Sequence, residues 1–205
     1  MRIPAAPGRG ECRVRGSRFL ALAAPVSSLE QALDVRDGER RTYHDATHHV
    51  FAARLASGES RSDDDGEPAG TAGRPILSLL EAAELVNAVL VVTRYFGGTK
   101  LGPGGLARAY GDAGRAALAA VTARSVAVAR ILHILYSHPD TGFVTRALAA
   151  ANGRVESTRY GDRVHIEVAV AETMCEDLCA SLVNVTAGRI EVSDSGKTGL
   201  VTVNP

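Results

Sequence analysis

Ala88–Val92 is an unbroken apolar run that continues through Thr93-Arg94-Tyr95-Phe96 into a turn holding Gly97, Gly98, Gly102, Gly104 and Gly105. A short continuous apolar run bounded by turn residues reads as a strand covered on both faces, so the chain needs other structure on each side of a sheet. Beyond the glycines, Leu106, Ala109, Tyr110, Ala113 and Ala117 recur at helical spacing, while Arg108, Asp112 and Arg115 fall on the opposite side. The glycine turn therefore joins the end of a buried strand to the start of a helix, in a mixed α+β fold.

The 205 residues exceed the commonest single-domain length of about 100–150, so two domains are expected, with residues 1–126 in the first and 127–205 in the second. Only 4% of residues are aromatic and none is Trp, so the cores must be built from Ala, Val and Leu. In the first domain, residues 1–10 read as an irregular lead-in and Arg13–Val26 as one bent strand or a hairpin. Ser27 or Ser28 is placed to cap a helix through about Arg36, and Tyr43–Leu55 reads as a strand. Ala56–Ala72 is a loop of unusual length, the kind that is usually functional or mobile. Pro75 suits the first turn of a helix carrying Ile76, Leu79, Leu80 and Ala83 and ending at Asn87.

The second half opens with an apolar strand from about Ser125 to Tyr136, then a helix from Pro139 that stops at Asn152-Gly153. Strands at Arg154–Tyr160 and Arg163–Val170 flank Gly161-Asp162, a dipeptide suited to a tight hairpin. Thr173 and Glu176 have the spacing of a capping box ahead of a stripe of Cys175, Leu178, Cys179, Leu182 and Val185, and a last strand follows Gly188. The order β-α-β-β-α-β is the ferredoxin-like arrangement.

Several function classes drop out. No apolar run approaches the roughly 18 residues of a membrane span and the start lacks a signal-peptide pattern, so a cytoplasmic protein without membrane contact is expected. Cys12, Cys175 and Cys179 are odd in number and form no C-x-x-C pair, which indicates neither a disulfide framework nor a zinc site. Net charge is zero, so any nucleic-acid binding must come from local charge.

Charge is unevenly placed. Residues 59–67 hold Glu59, Asp63, Asp64, Asp65 and Glu67 against Arg61, whereas residues 94–115 hold Arg94, Lys100, Arg108 and Arg115 against Asp112. One reading is a set of ion pairs that pins the loop to the sheet, since an Arg at the end of a buried strand needs a carboxylate. The other is an anion site: glycines let a backbone approach an anion closely, and a helix start supplies free N–H groups and a favourable dipole. Neither the P-loop pattern nor the dinucleotide fingerprint occurs. Tyr95, Phe96 and Tyr110 add stacking surfaces for an RNA strand. His44, His48 and His49 hint at a metal, but on a strand His48 and His49 point to opposite faces, so no metal site is expected. An enzyme using Asp64 or Asp65 and His48 on a phosphorylated small molecule is the alternative, although no nucleophile or complete catalytic constellation is present.

The stretch Asp64-Asp65-Gly66-Glu67-Pro68, Gly70-Thr71-Ala72-Gly73, Val91 to Gly98, Leu101-Gly102, Gly104-Gly105-Leu106 and Arg108-Ala109-Tyr110 resembles the YigZ/Impact family almost letter for letter. The resemblance implies a first domain like the second domain of ribosomal protein S-five, followed by a ferredoxin-like domain like the C-terminal domain of elongation factor G. It also implies a translational setting, without an established catalytic residue set, and no cofactor is expected. Ala46-Thr47-His48 matches the family's Ala-x-His, but His49 and Val50 stand where many members carry a polar residue and a cysteine. The expected anion or nucleic-acid contacts are Arg94, Tyr95, Phe96, Gly97, Gly98, Lys100, Gly102, Gly104, Gly105, Arg108 and Tyr110. His48, Asp64, Asp65 and Glu67 are expected to order the loop. RNA, the ribosome or a protein of the translation apparatus is the expected partner. The second domain, with seven basic and nine acidic residues from Ala127 onward, adds little electrostatic footprint.

Overall fold

Residues 1–203 are described by a computed structural model, in which the chain forms one unit from Met1 to Arg124 and a second beginning at Ser125. The first unit runs β1 (Arg2–Pro4), β2 (Gly8–Val14), β3 (Ser17–Pro25), α1 (Leu29–Thr42), β4 (His48–Arg54), β5 (Ser60–Asp63), α2 (Gly73–Ala82), β6 (Ala88–Tyr95) and α3 (Gly102–Ala119). Strands β2-β3-β6-β4-β5 form one antiparallel sheet with the apolar β6 at its centre.

Alternation along β6 divides the core. Leu90 and Val92 face one way, with Phe19 and Val50, and pack under Ile76 and Leu80 of α2 and Leu106, Tyr110 and Ala113 of α3. Val89 and Val91 face the other way, with Leu22 and Phe51, and are covered by α1 through Ala32, Leu29 and Leu33. Burying each such Val, Leu or Phe side chain contributes about 1.5–3 kcal/mol, which is how a chain so poor in aromatic residues still holds a two-faced sheet.

Several local expectations are corrected. The lead-in is not irregular throughout: Arg2 exchanges backbone bonds with Glu84 and Val86, and β2 already begins at Gly8. Ser28 caps α1 by accepting from the Gln31 N–H, but the helix continues to Thr42. Residues 43–47 form a turn, so the strand starts at His48 and His44 lies outside it. The long loop contains β5, whose Ser60–Asp63 pair with Phe51–Arg54. Helix α2 stops at Ala82, and Asn87, at φ 50°, instead opens β6.

The second unit runs β7 (Ala123–Tyr136), a single 3-10 turn, α4 (Thr141–Ala150), β8 (Arg154–Tyr160), β9 (Val164–Ala171), α5 (Cys175–Val185) and β10 (Glu191–Thr202). Its strands pair antiparallel in the order β10-β7-β9-β8, the ferredoxin-like arrangement. Leu132, Ile134, Ile166 and Val168 pack against Val144 and Leu148 of α4 and Cys175, Leu178 and Leu182 of α5. The capping box between Thr173 and Glu176 does not form. A 3-10 turn over Glu172–Met174 leads into α5 and makes Met174 the cap position, which leaves the Thr173 hydroxyl one residue too early. Among the described residues no helix is long and apolar enough to cross a membrane.

Candidate functional site

Register across the three central strands sets the floor of the site. Arg94 on β6 lies opposite Phe19 on β3 and His48 on β4, and alternation turns it to the same side as Val92, beneath α2 and α3. The Arg94 side chain is 6% exposed. Its Nη1 donates to Glu67 Oε1 at 2.5 Å, and the same oxygen accepts from the Tyr110 hydroxyl at 2.8 Å. His48 Nε2 stands 3.9 Å from it. Burial, then the bond to Glu67, pushes the Tyr110 hydroxyl well above its usual range, so it stays protonated and serves as a donor. Phe19 meets Tyr110 edge-on at 5.1 Å, and the Arg94 guanidinium lies 5.4 Å and 5.5 Å from the ring centres of Phe19 and Phe96. Among the described residues Arg94 Nε has no hydrogen-bond acceptor.

The acidic loop is tied down residue by residue. Asp64 accepts from the N–H groups of Gly70, Ala72 and Gly73, which anchors the start of α2. Burial would raise its pKa, but those three N–H groups together outweigh burial and leave it lowered. Asp65, at φ 45°, accepts from Arg40 and from the His49 N–H, both at 2.6 Å. Its carbonyl accepts from His48 Nδ1 at 2.7 Å, which sets that nitrogen as the protonated one. His49 points to the α1 side, where burial lowers its pKa and Nε2 donates to the Tyr43 carbonyl.

These contacts change the reading of several predicted residues. Arg94 does not offer a free cation, because its charge is neutralised by Glu67 under the sheet face. Tyr110 is fully buried and presents no ring to a ligand. Tyr95 is half-buried and donates its hydroxyl to Asp45. Gly97 is required by the fold itself: a Cβ there would come within 1.9 Å of the Gly16 carbonyl carbon. Its N–H donates to Ser17 Oγ, and the Phe96 N–H donates to Thr47 Oγ1, so the start of the turn is held by the first residue of β3 and by the residue just before β4. Arg115 is held by Asp112 on the outer face of α3.

What stays open is a groove of about 330 Å³ lined by Glu67, Pro68, Arg94, Phe96, Lys100, Leu101, Gly102, Pro103 and Leu106. Phe96 is 48% exposed at this groove. Lys100 and Arg108 are exposed and have no carboxylate partner among the described residues. No side chain caps α3, and its first turn includes Gly104, beside whose Cβ position nothing lies within 4 Å. An uncapped helix start leaves N–H groups seeking acceptors and favours negative charge. The apolar lining residues Pro68, Leu101, Pro103 and Leu106 are not among the contacts expected from the sequence, although apolar side chains spaced among loop glycines are the signal that points to them.

The profile of the Impact N-terminal domain matches residues 15–118, and that of a domain of unknown function, DUF1949, matches residues 134–189. IMPACT family member YigZ of Escherichia coli is 32% identical over 195 residues, covering 93% of this chain and 95% of that protein. The Saccharomyces cerevisiae protein IMPACT homolog is 40% identical over 97 residues, covering 43% of this chain and 36% of that protein. A crystal structure described only as that of a hypothetical protein superposes with a TM-score of 0.67 at 29% identity, covering 93% of this chain and 95% of that one. The buried Arg94–Glu67 pair, the glycine turn and the ferredoxin-like second unit are thus set in a chain that belongs to the Impact family.

Proposed function

We propose that the chain is an accessory or regulatory protein of translation that acts by binding, and that its first unit contacts RNA of the ribosome through the groove at the start of α3. The translational setting is the one implied by the resemblance to the YigZ/Impact family, and the match to the Impact N-terminal domain over residues 15–118 supports that resemblance. The observation that carries the binding surface is the separation of labour among its cations. Arg94 is consumed by Glu67, whereas Lys100 stays exposed beside an uncapped helix start and an exposed Phe96, with Arg108 exposed further along α3. Cations and free N–H groups suit phosphate, and an exposed ring suits a base.

The test is ribosome co-sedimentation over a salt series, with the wild-type chain and a K100E/R108E variant. Binding through phosphates falls linearly in log–log form with salt, and losing two contacts flattens that slope by about 1–2. No binding at low salt, or a variant that binds as the wild type does, would sink the reading.

A further inference from the structure

The groove offers donors at one end and a flat apolar wall at the other. Its one acidic side chain, Glu67, carries two donors on a single oxygen. On the donor side, Lys100 is unpaired, the first turn of α3 is uncapped, and Arg94 on the floor is 5% exposed with its Nε lacking an acceptor. Glu67, the carboxylate in the lining, already takes both Arg94 and Tyr110 on one oxygen. On the apolar side, Leu101, Pro103 and Leu106 stand with Phe96, whose ring is backed by the Arg94 guanidinium 5.5 Å from its centre.

A peptide would bring a row of backbone N–H donors, for which the side chains lining the groove offer only the second oxygen of Glu67. A phosphate brings only acceptors, and a planar base needs a ring to lie against. The volume of about 330 Å³ is at the lower end of small-molecule sites. Gly104 adds an independent hint. No neighbouring atom lies within 4 Å of its Cβ position, so the bare backbone there lets a group approach the first-turn N–H closely.

We infer that the groove seats a single nucleotide, with its phosphate at Lys100 and the first-turn N–H groups of α3 and its base against Phe96. This rests on the reading of the groove as the RNA contact and names what that contact holds. It extends that reading to free ligands, because one nucleotide binds without the rest of a strand.

Isothermal titration of the full chain with the four 5′-nucleoside monophosphates, the matching nucleosides and inorganic phosphate tests it. Monophosphates should bind one to one in roughly the 0.1–1 mM range, with nucleosides and inorganic phosphate each about tenfold weaker. Phe96→Ala and Lys100→Ala should each weaken the monophosphate about five- to tenfold with unchanged thermal midpoints. The inference is overturned if no monophosphate binds at about 10 mM, if inorganic phosphate binds as tightly, or if either variant binds normally. Co-sedimentation on the same samples separates the claims. Ribosome binding without nucleotide binding removes the nucleotide seat alone, whereas absence of both removes the underlying RNA reading too.

Discussion

Arg94 Nη1 sits 2.5 Å from Glu67 Oε1, although 27 residues separate them and both side chains are almost wholly buried. The pair closes the open end of the core between the central strand and the loop that precedes α2. It also removes from the surface the one arginine that the strand-to-turn junction carries. A buried pair of this kind is weak evidence for net stability, but breaking it leaves an uncompensated charge in a low-dielectric site.

Glu67→Ala is therefore expected to cost about 3–5 kcal/mol in chemical denaturation, because it strands the Arg94 cation and the Tyr110 hydroxyl together. The double variant Glu67→Leu, Arg94→Met should recover most of that loss, since no buried charge remains. A double variant as unstable as the single one would mean that the pair's geometry, rather than its charge, holds the loop.

Asp64 gives a pH-dependent prediction. Its folded pKa lies below that of an unfolded aspartate, so its contribution is complete above the unfolded value of about 3.9. It is lost as pH falls through the lower folded value. Asp64→Ala, which removes the acceptor for Gly70, Ala72 and Gly73, should cost about 2–4 kcal/mol at neutral pH. The difference from wild type should shrink as pH falls below the unfolded value of about 3.9 and through the lower folded value, where the native carboxylate protonates. A pH-independent difference between the two denaturation curves would count against charge as the origin of the effect.

Gly97 is fixed by contact with the neighbouring hairpin. A methyl group there meets the backbone of Gly16 and Ser17, which belongs to no flexible side chain that can move aside. Gly97→Ala should lower stability by more than about 2 kcal/mol or prevent folding, with the loss read by thermal denaturation. A variant of unchanged midpoint would show that the two turns separate easily.

Much of this architecture was legible in the sequence because it rests on periodicity. The apolar run of β6, the Leu106–Ala117 stripe and the Gly161-Asp162 hairpin each declare themselves over a few residues. Long-range pairing does not. That Arg94 would be neutralised by Glu67 rather than left at the surface depends on the register of β6 and on where a loop folds back, neither of which has a local signature. Tyr110 illustrates the same limit: it falls on the buried stripe of α3, yet its aromatic character made it look like a stacking surface. The glycines do not share one role in the fold. Gly97 serves a backbone contact 80 residues away in the chain, whereas Gly104 faces open space, and only the neighbours in three dimensions tell them apart. The capping box failed because a 3-10 turn shifted the helix start by a single residue.

Gly104 gives the most direct test of whether the start of α3 is a contact surface. Alanine in place of glycine in a helix favours folding by up to about 1 kcal/mol, and no atom lies within 4 Å of the added carbon. Gly104→Ala should therefore raise the thermal midpoint or leave it unchanged while weakening ribosome co-sedimentation at low salt. A stable variant that sediments with ribosomes as well as the wild type would contradict the account, because the exposed helix start would then be touching nothing.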